Sequence, residues 1–180
     1  LQAAGSMMGS GGMIVMDEDD CMVAMAQFYL GFTVEESCGK CSPCRIGNKR
    51  LFEILNKITS GKGTEEDLRK LRDLGQVIKD TSLCGLGQTS PNPVLSTLDN
   101  FYDEYVAHVT EQRCPAHQCR DLTVYYINPK KCTGCTLCAH VCPVHAIVGE
   151  RKATHIIDPN ICIRCGSCLE KCRFGAIYVY

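Results

Sequence analysis

An excess of charge of either sign is missing from this sequence. Its 19 basic and 20 acidic residues leave a formal net charge of -1. A nucleic-acid binder meets phosphates with clustered positive charge, and no basic stripe interleaved with aromatics is present, so that class is set aside. Long apolar runs are missing too: nothing approaches the ~20 residues that span a bilayer, and membrane insertion is not expected. No basic-then-apolar leader precedes the first folded segment. The sequence opens at Leu1 rather than at a methionine, which leads us to expect a longer polypeptide. Phosphate-binding loops are likewise lacking. Gly9, Gly11 and Gly12 are followed by no Lys-Ser or Lys-Thr, and the SGKGT string at 60–64 has no upstream glycine in register, so both read as turns.

What the chain has in excess is cysteine, 15 residues in 180. They fall in C-x2-C runs, a pattern of metal binding in a reducing compartment rather than of secreted disulfides, and a cytoplasmic location follows as an expectation. The longest runs are CTGCTLCAHVCP from Cys132 and CIRCGSCLEKCR from Cys162. Each is C-x2-C-x2-C-x3-C, the spacing by which bacterial ferredoxins hold two 4Fe-4S clusters. Three cysteines on a tight loop reach three irons of one cubane, and the fourth, a turn later, faces the other cluster. The expected ligand sets therefore cross: Cys132, Cys135, Cys138 and Cys172 for one cluster, and Cys162, Cys165, Cys168 and Cys142 for the other. Pro143 follows Cys142 as the pattern asks, while Arg173 stands where a second proline is usual. Structural zinc is the plainer alternative, but zinc sites use pairs of cysteines rather than two runs of four. His140 and His145 are read as packing or surface residues, because the ligand count is already complete.

Upstream, ESCGKCSPCR places Cys38, Cys41 and Cys44 at C-x2-C-x2-C. Three thiolates leave one iron of a cubane open, and Cys84 in SLCGLG is the natural fourth ligand. Helical periodicity predicts four helices around these cysteines. The first begins near Asp19 or Asp20 and carries Cys21, read as a small buried hydrophobe. The second spans about 45–59, with Ile46, Leu51, Leu55 and Ile58 on one face. Thr64 and Asp67 form a capping box for the third, whose apolar face is Leu68, Leu71, Leu74 and Ile78. The fourth starts at Pro91 and Pro93 and runs to Val109, with Phe101, Tyr102 and Tyr105 inward. Met13–Met16 reads as a short strand. Arg45 reads equally as a tuning charge for the cluster or as a solvated first-turn residue.

A third cysteine group follows: His108, then CPAHQC with Cys114, His117 and Cys119. Two thiolates and two imidazoles match a tetrahedral zinc site, with Cys114 and Cys119 as its firmest ligands. Such a site would staple the helices to the ferredoxin module and could serve as a hinge; the alternative is two free thiols in a surface loop. Strands are predicted at 122–127, 146–148, 155–157 and 177–179, and the halves 127–148 and 157–179 form an internal repeat with pseudo-twofold packing. The fold class expected is thus α+β: a small four-helix bundle at 17–110 with one 4Fe-4S cluster, a Cys/His zinc linker at 111–121, and a two-cluster ferredoxin domain at 122–180.

ESCGKCSPCR followed by SLCGLG, after GSGGMIVM, closely resembles the C-terminal part of the NADH-oxidising flavoprotein subunit of respiratory complex I. With the appended ferredoxin module, the chain looks most like the beta subunit of soluble NAD(P)-linked, electron-bifurcating hydrogenases and formate dehydrogenases. The resemblance implies that residues 1–16 end a ubiquitin-like domain, and that FMN and NAD(P) bind in an N-terminal part absent from this sequence. It implies that the Cys38, Cys41, Cys44 and Cys84 cluster exchanges electrons with that flavin. The implied partners are a thioredoxin-like 2Fe-2S subunit, a catalytic hydrogenase or formate dehydrogenase subunit, and ferredoxin. A flavin is needed because a nicotinamide carries a hydride whereas a cubane moves single electrons.

Overall fold

A computed structural model describes residues 9, 11 and 13–180, in two units that divide between Leu122 and Thr123. Most of the expected 1–16 segment lies outside the described residues. Its described part corrects one expectation. Met13, Ile14 and Val15 form no strand and are largely exposed, since a strand needs a hydrogen-bonded neighbour and none faces them among the described residues. No helix among the described residues is long and apolar enough to cross a membrane.

The first unit is helical. α1 spans Met22–Glu35, α2 Asn48–Thr59, α3 Glu65–Thr81, α4 Gly85–Thr89, α5 Asn92–Asn100 and α6 Tyr102–Val106. α1 does not start on the acidic run: Cys21 is its N-cap, and the thiol accepts from Ala24 N–H at 3.4 Å. α3 begins at the capping box read from the sequence, with Thr64 and Asp67 exchanging side chain-to-backbone bonds. Leu51, Leu55, Ile58, Leu71 and Ile78 are fully buried together with Leu30 and Leu98. Gly75 lets α3 approach α5, for a Cβ there would lie 3.0 Å from a Leu95 methyl.

Two departures rotate side chains away from the expected core. A π-helical turn at Pro43–Gly47 precedes α2. Its extra residue per turn breaks the 3.6-residue register, and Ile46 points outward at 50% exposure. The expected fourth helix is broken at Phe101, whose φ of -131° ends α5 and starts α6. Phe101 and Tyr102 are therefore exposed while Tyr105 is buried, its hydroxyl 2.7 Å from Thr97 Oγ1. A second π-helical turn, Ala107–Glu111, carries the buried His108.

The second unit is small and doubled. β1 (Tyr125–Ile127) pairs antiparallel with β4 (Ile177–Val179), and β2 (Ile147–Val148) pairs antiparallel with β3 (Ile156–Ile157). Short helices α7 (Leu137–Val141) and α8 (Ser167–Lys171) follow the two cysteine loops. Strands are shorter than expected at their first ends: Leu122 sits in a 3-10 turn, and Ala146 and His155 lie just outside β2 and β3. The halves repeat at an offset of thirty residues, Cys132 matching Cys162. Bonds repeat with them: Asn128 N–H donates to Ala176 O, and Asp158 N–H to Ala146 O, both at 2.8 Å.

Candidate iron-sulfur and metal sites

In the helical unit, Cys38, Cys41 and Cys44 lie on the loop after α1 and in the π-helical turn, and Cys84 is the N-cap of α4. Tight packing brings the two segments together. A Cβ on Gly87 would strike Ser82 at 2.6 Å and stand 3.1 Å from Cys44 Cβ, so α4 can close on the turn only with glycine there. Backbone hydrogen bonds at Leu83, beside Cys84, and at Cys44 hold the Cys41 thiol below its usual pKa. Cys44 is buried; its sulfur lies 3.3 Å from Ser37 Oγ and accepts from Asn48 Nδ2 at 3.5 Å. Asn48 is held in turn by Ser90, whose hydroxyl donates to Oδ1 at 2.8 Å. Cys38 and Cys84 are exposed. Arg45 is also exposed and donates to Gly39 O at 3.2 Å, so the guanidinium braces the cysteine loop itself. Donors aimed at one sulfur, with thiolate favoured at another, suit an anionic iron-sulfur cluster.

In the second unit two cavities repeat the doubling. One is lined by Cys132, Cys135, Cys138 and Cys172, the other by Cys162, Cys165, Cys168 and Cys142. Each crossed set of four thus faces a common space. Ala146 N–H donates to Cys142 Sγ at 3.2 Å and Ala176 N–H to Cys172 Sγ at 3.3 Å, the same bond in each half. Burial pushes the Cys168 thiol up to about 11 and also raises Cys138. Iron binding at these buried sulfurs must therefore displace protons. The loops need left-handed backbone, which Gly134 and Gly166 supply, with Arg164 and Thr136 at the matching positions in the other half. His140 and His145 are exposed.

The third group corrects the expected ligand set. Cys21 Sγ, His108 Nε2, Cys114 Sγ and Cys119 Sγ lie within 4.8 Å of one another, and all four residues are buried. His117 is exposed, with a left-handed φ of 54°, and is not in this set. Its place is taken by Cys21, the residue read as a plain hydrophobe. Cys21 Sγ is 3.7 Å from Cys119 Sγ and 3.3 Å from His108 Nε2. A disulfide at about 2.05 Å is excluded by that distance. A tetrahedron with Zn–S about 2.3 Å has S···S edges of ~3.8 Å, and the Cys21–Cys119 separation of 3.7 Å matches that edge. His108 Nδ1–H donates to Glu104 O at 2.7 Å, which turns Nε2 toward the sulfurs. Burial opposes charge on His108, but hydrogen bonds to Cys114 and Cys21 outweigh it and push its pKa up to about 10. Hydrogen bonds from Cys119 and Cys21 pull the Cys114 thiol down, while those same contacts and burial push Cys119 up. One thiolate is thus favoured and the next opposed, the condition that a divalent cation relieves. All four residues of the set lie within the first unit. An odd cysteine left over from the motif arithmetic was the signal available in sequence.

Residues 24–108 match the family described as NADH-ubiquinone oxidoreductase-F iron-sulfur binding region, and residues 131–177 match the 4Fe-4S dicluster domain. Residues 24–108 thus resemble the oxidoreductase-F iron-sulfur region, and residues 131–177 behind them resemble a dicluster domain. Over 177 residues it is 61% identical to NADP-reducing hydrogenase subunit HndC of Solidesulfovibrio fructosivorans, covering 98% of this chain and 36% of that protein. It is 42% identical over 113 residues to an NADH-quinone oxidoreductase subunit of Mycobacterium tuberculosis, covering 63% and 25%. It is 38% identical over 96 residues to the NADP(+)-dependent formate dehydrogenase subunit beta of Moorella thermoacetica, covering 53% and 13%. The NAD+-reducing [NiFe]-hydrogenase in its H2-reduced state superposes with a TM-score of 0.51 at 31% identity, over 53% of this chain and 16% of that one. The chain therefore spans about a third or less of the length of these relatives.

Proposed function

We propose that this chain is the electron-transfer portion of a multi-subunit NAD(P)-linked flavin and iron-sulfur oxidoreductase of the hydrogenase kind. The observation that carries the reading is the pair of cavities, each lined by a crossed set of four cysteines. Such sets, with the Cys38, Cys41, Cys44 and Cys84 group, would hold three 4Fe-4S clusters, which supply one-electron carriers when bound. The chain's own groups tune those carriers: Ser37 and Asn48 at Cys44, and the Ala146 and Ala176 amides in the dicluster unit, place donors on cysteine sulfur. Donors on sulfur stabilise added negative charge.

The first unit would exchange electrons with a flavin held by an N-terminal part of a longer chain, where NAD(P) would also bind. The dicluster unit would pass them to ferredoxin, to a thioredoxin-like 2Fe-2S subunit or to a hydrogenase subunit, in an electron-bifurcating complex. The name of the 61% identical relative favours hydrogen and NADP, whereas the likeness to a formate dehydrogenase subunit supports formate as the second reading. Zinc at Cys21, His108, Cys114 and Cys119 would be structural, since four protein donors close the coordination sphere and leave no position for substrate. The test is iron, acid-labile sulfide and zinc per chain on anaerobic protein, with low-temperature EPR. The expected result is about twelve irons and one zinc, with reducible signals. About eight irons would remove the Cys38–Cys84 cluster and the flavin-facing role with it.

A further inference from the structure

The charged residues of the dicluster unit are unevenly placed. Residues 123–180 carry seven Lys and Arg against three Asp and Glu, although the whole chain is balanced. Five of the seven belong to the Cys132 end. Lys130 and Lys131 close the turn that enters the Cys132 loop, where Lys131 and Cys132 N–H donate to Asn128 O at 3.2 and 3.0 Å. Arg173 follows Cys172, which lines the same cavity. Arg151 and Lys152 come from the turn between β2 and β3, which is fixed to the loop: Lys152 N–H donates to Gly134 O at 3.0 Å. A Cβ on Gly134 would come within 2.6 Å of Ala153 and Lys152 backbone atoms, so the contact requires glycine.

The three residues from Lys131 to Gly134 span at most ~11 Å of chain. The two pairs of cations are thus rooted about one Debye length apart at 0.1 M salt, and an approaching charge meets both together. All five residues are exposed, and none is in an ion pair among the described residues. Glu150 is the acid on the same turn. Exposed apolar groups accompany the cations: Leu137 and Phe174 line the Cys132 cavity and reach the surface, as does Cys135.

The Cys162 end differs at the matching positions. The thirty-residue offset replaces Lys130 and Lys131 by Asn160 and Ile161, and Arg173 by Pro143. That loop keeps apolar surface in Ile161 and Ile163. Its charges are the half-buried Arg164 and, ahead of the loop, Asp158, while Glu170 and Lys171 share α8. An apolar centre with a polar rim is the anatomy of a protein interface. A rim of one sign selects the sign of the partner.

We propose that the Cys132 end is the docking face for an acidic one-electron carrier protein. Electrons then enter or leave the dicluster unit at the cluster of Cys132, Cys135, Cys138 and Cys172 rather than at that of the Cys162 loop. This deepens the electron-transfer reading given above and rests on it. Thiolate-bound clusters are themselves anionic. At the Cys162 end little offsets that charge toward an acidic partner, whereas at the Cys132 end five cations do. Steering of this kind raises association rates by roughly 10- to 1000-fold and fades as salt rises. One electron crosses per encounter: the carrier is reduced as the cluster is oxidised, or the reverse, and no bond or proton moves.

The experiment is stopped-flow electron transfer from the full-length, anaerobically loaded and reduced protein to two one-electron acceptors, acidic plastocyanin and basic cytochrome c, across a range of ionic strength. K130Q/K131Q and N160E/I161E change the net charge equally but at opposite ends. At full iron content, K130Q/K131Q should lower the low-salt rate constant to plastocyanin about tenfold and flatten its salt dependence, without slowing transfer to cytochrome c. R151Q/K152Q, which lies outside the cysteine loop, should do the same and carries the test if the lysine variant loses iron. N160E/I161E should leave the plastocyanin rate nearly unchanged. An equal loss in N160E/I161E would overturn the proposal, since net charge alone would then be at work. So would a rate unmoved in both K130Q/K131Q and R151Q/K152Q. So would a plastocyanin rate that ignores salt while phosphatidylglycerol vesicles retain wild type and release K130Q/K131Q, which would make this end a lipid contact. A failure of the dicluster reading itself looks different: wild-type protein would then carry only about four irons.

Discussion

At the scale of the residue, Cys21 carries more than its surroundings in sequence suggest. It caps α1 through its thiol and is buried against His108 and Cys119. Cys21→Ser should cut zinc affinity by at least ~10–100-fold, the loss that even groups outside the coordination sphere produce. His117→Ala should leave zinc per chain unchanged. Zinc analysis with a competing chelator reads both, and the reverse result would restore His117 as the fourth ligand. Asn48 offers a milder test. Its amide reaches Cys44 and is positioned by Ser90. Asn48→Leu should therefore lower the potential of the first unit's cluster while its iron content stays intact, which EPR-monitored titration measures.

At the scale of the element, α3 is stabilised locally at its start and by packing along its face. Asp67 accepts from Thr64 N–H at 2.8 Å and from Lys57 Nζ at 2.6 Å, and is 5% exposed. Burial raises its pKa, but the bonds to Lys57 and Thr64 outweigh burial and hold the carboxyl below its ordinary 3.8. A depressed folded pKa gives stability that is complete above the unfolded value and lost as pH falls through the folded one. The difference in Tm between wild type and Asp67→Asn should thus be largest near neutrality and shrink on acidification below pH ~4. Thr64→Ala should cost about 1 kcal/mol. Leu71→Ala, in the fully buried face, should cost ~2–5 kcal/mol through lost transfer energy and the cavity left behind. Thermal unfolding compares the two variants. These helices were legible because their signals are local: a cap, an acid three residues on, and a 3.6-residue stripe. The stripe misleads where the backbone leaves that period, at Ile46 after the π-helical turn and at Phe101 and Tyr102 across the helix break.

At the scale of the whole molecule, the cysteines that line each cavity of the dicluster unit come from two sequence-distant runs. Cys172→Ser should disturb the cluster of the Cys132 loop and spare that of the Cys162 loop. Linear assignment, with each run holding its own cluster, predicts the opposite, and EPR of the variant decides between them. Cys84→Ser should remove about four irons from the helical unit without touching the dicluster signals.

The sequence by itself determined the cysteine runs and the internal repeat that pairs them. A loop of C-x2-C-x2-C presents its thiolates through its own backbone, and the family likeness follows from the same short strings. Only the tertiary structure decided what meets across distance. Cys21 and His108 are 87 residues apart in sequence and 3.3 Å apart in space. His155 is an ordinary residue before a short strand until its buried Nε2 is found beside the Cys132 cavity. Neither contact leaves a trace in local periodicity, because each is made by the packing of elements that no spacing rule connects.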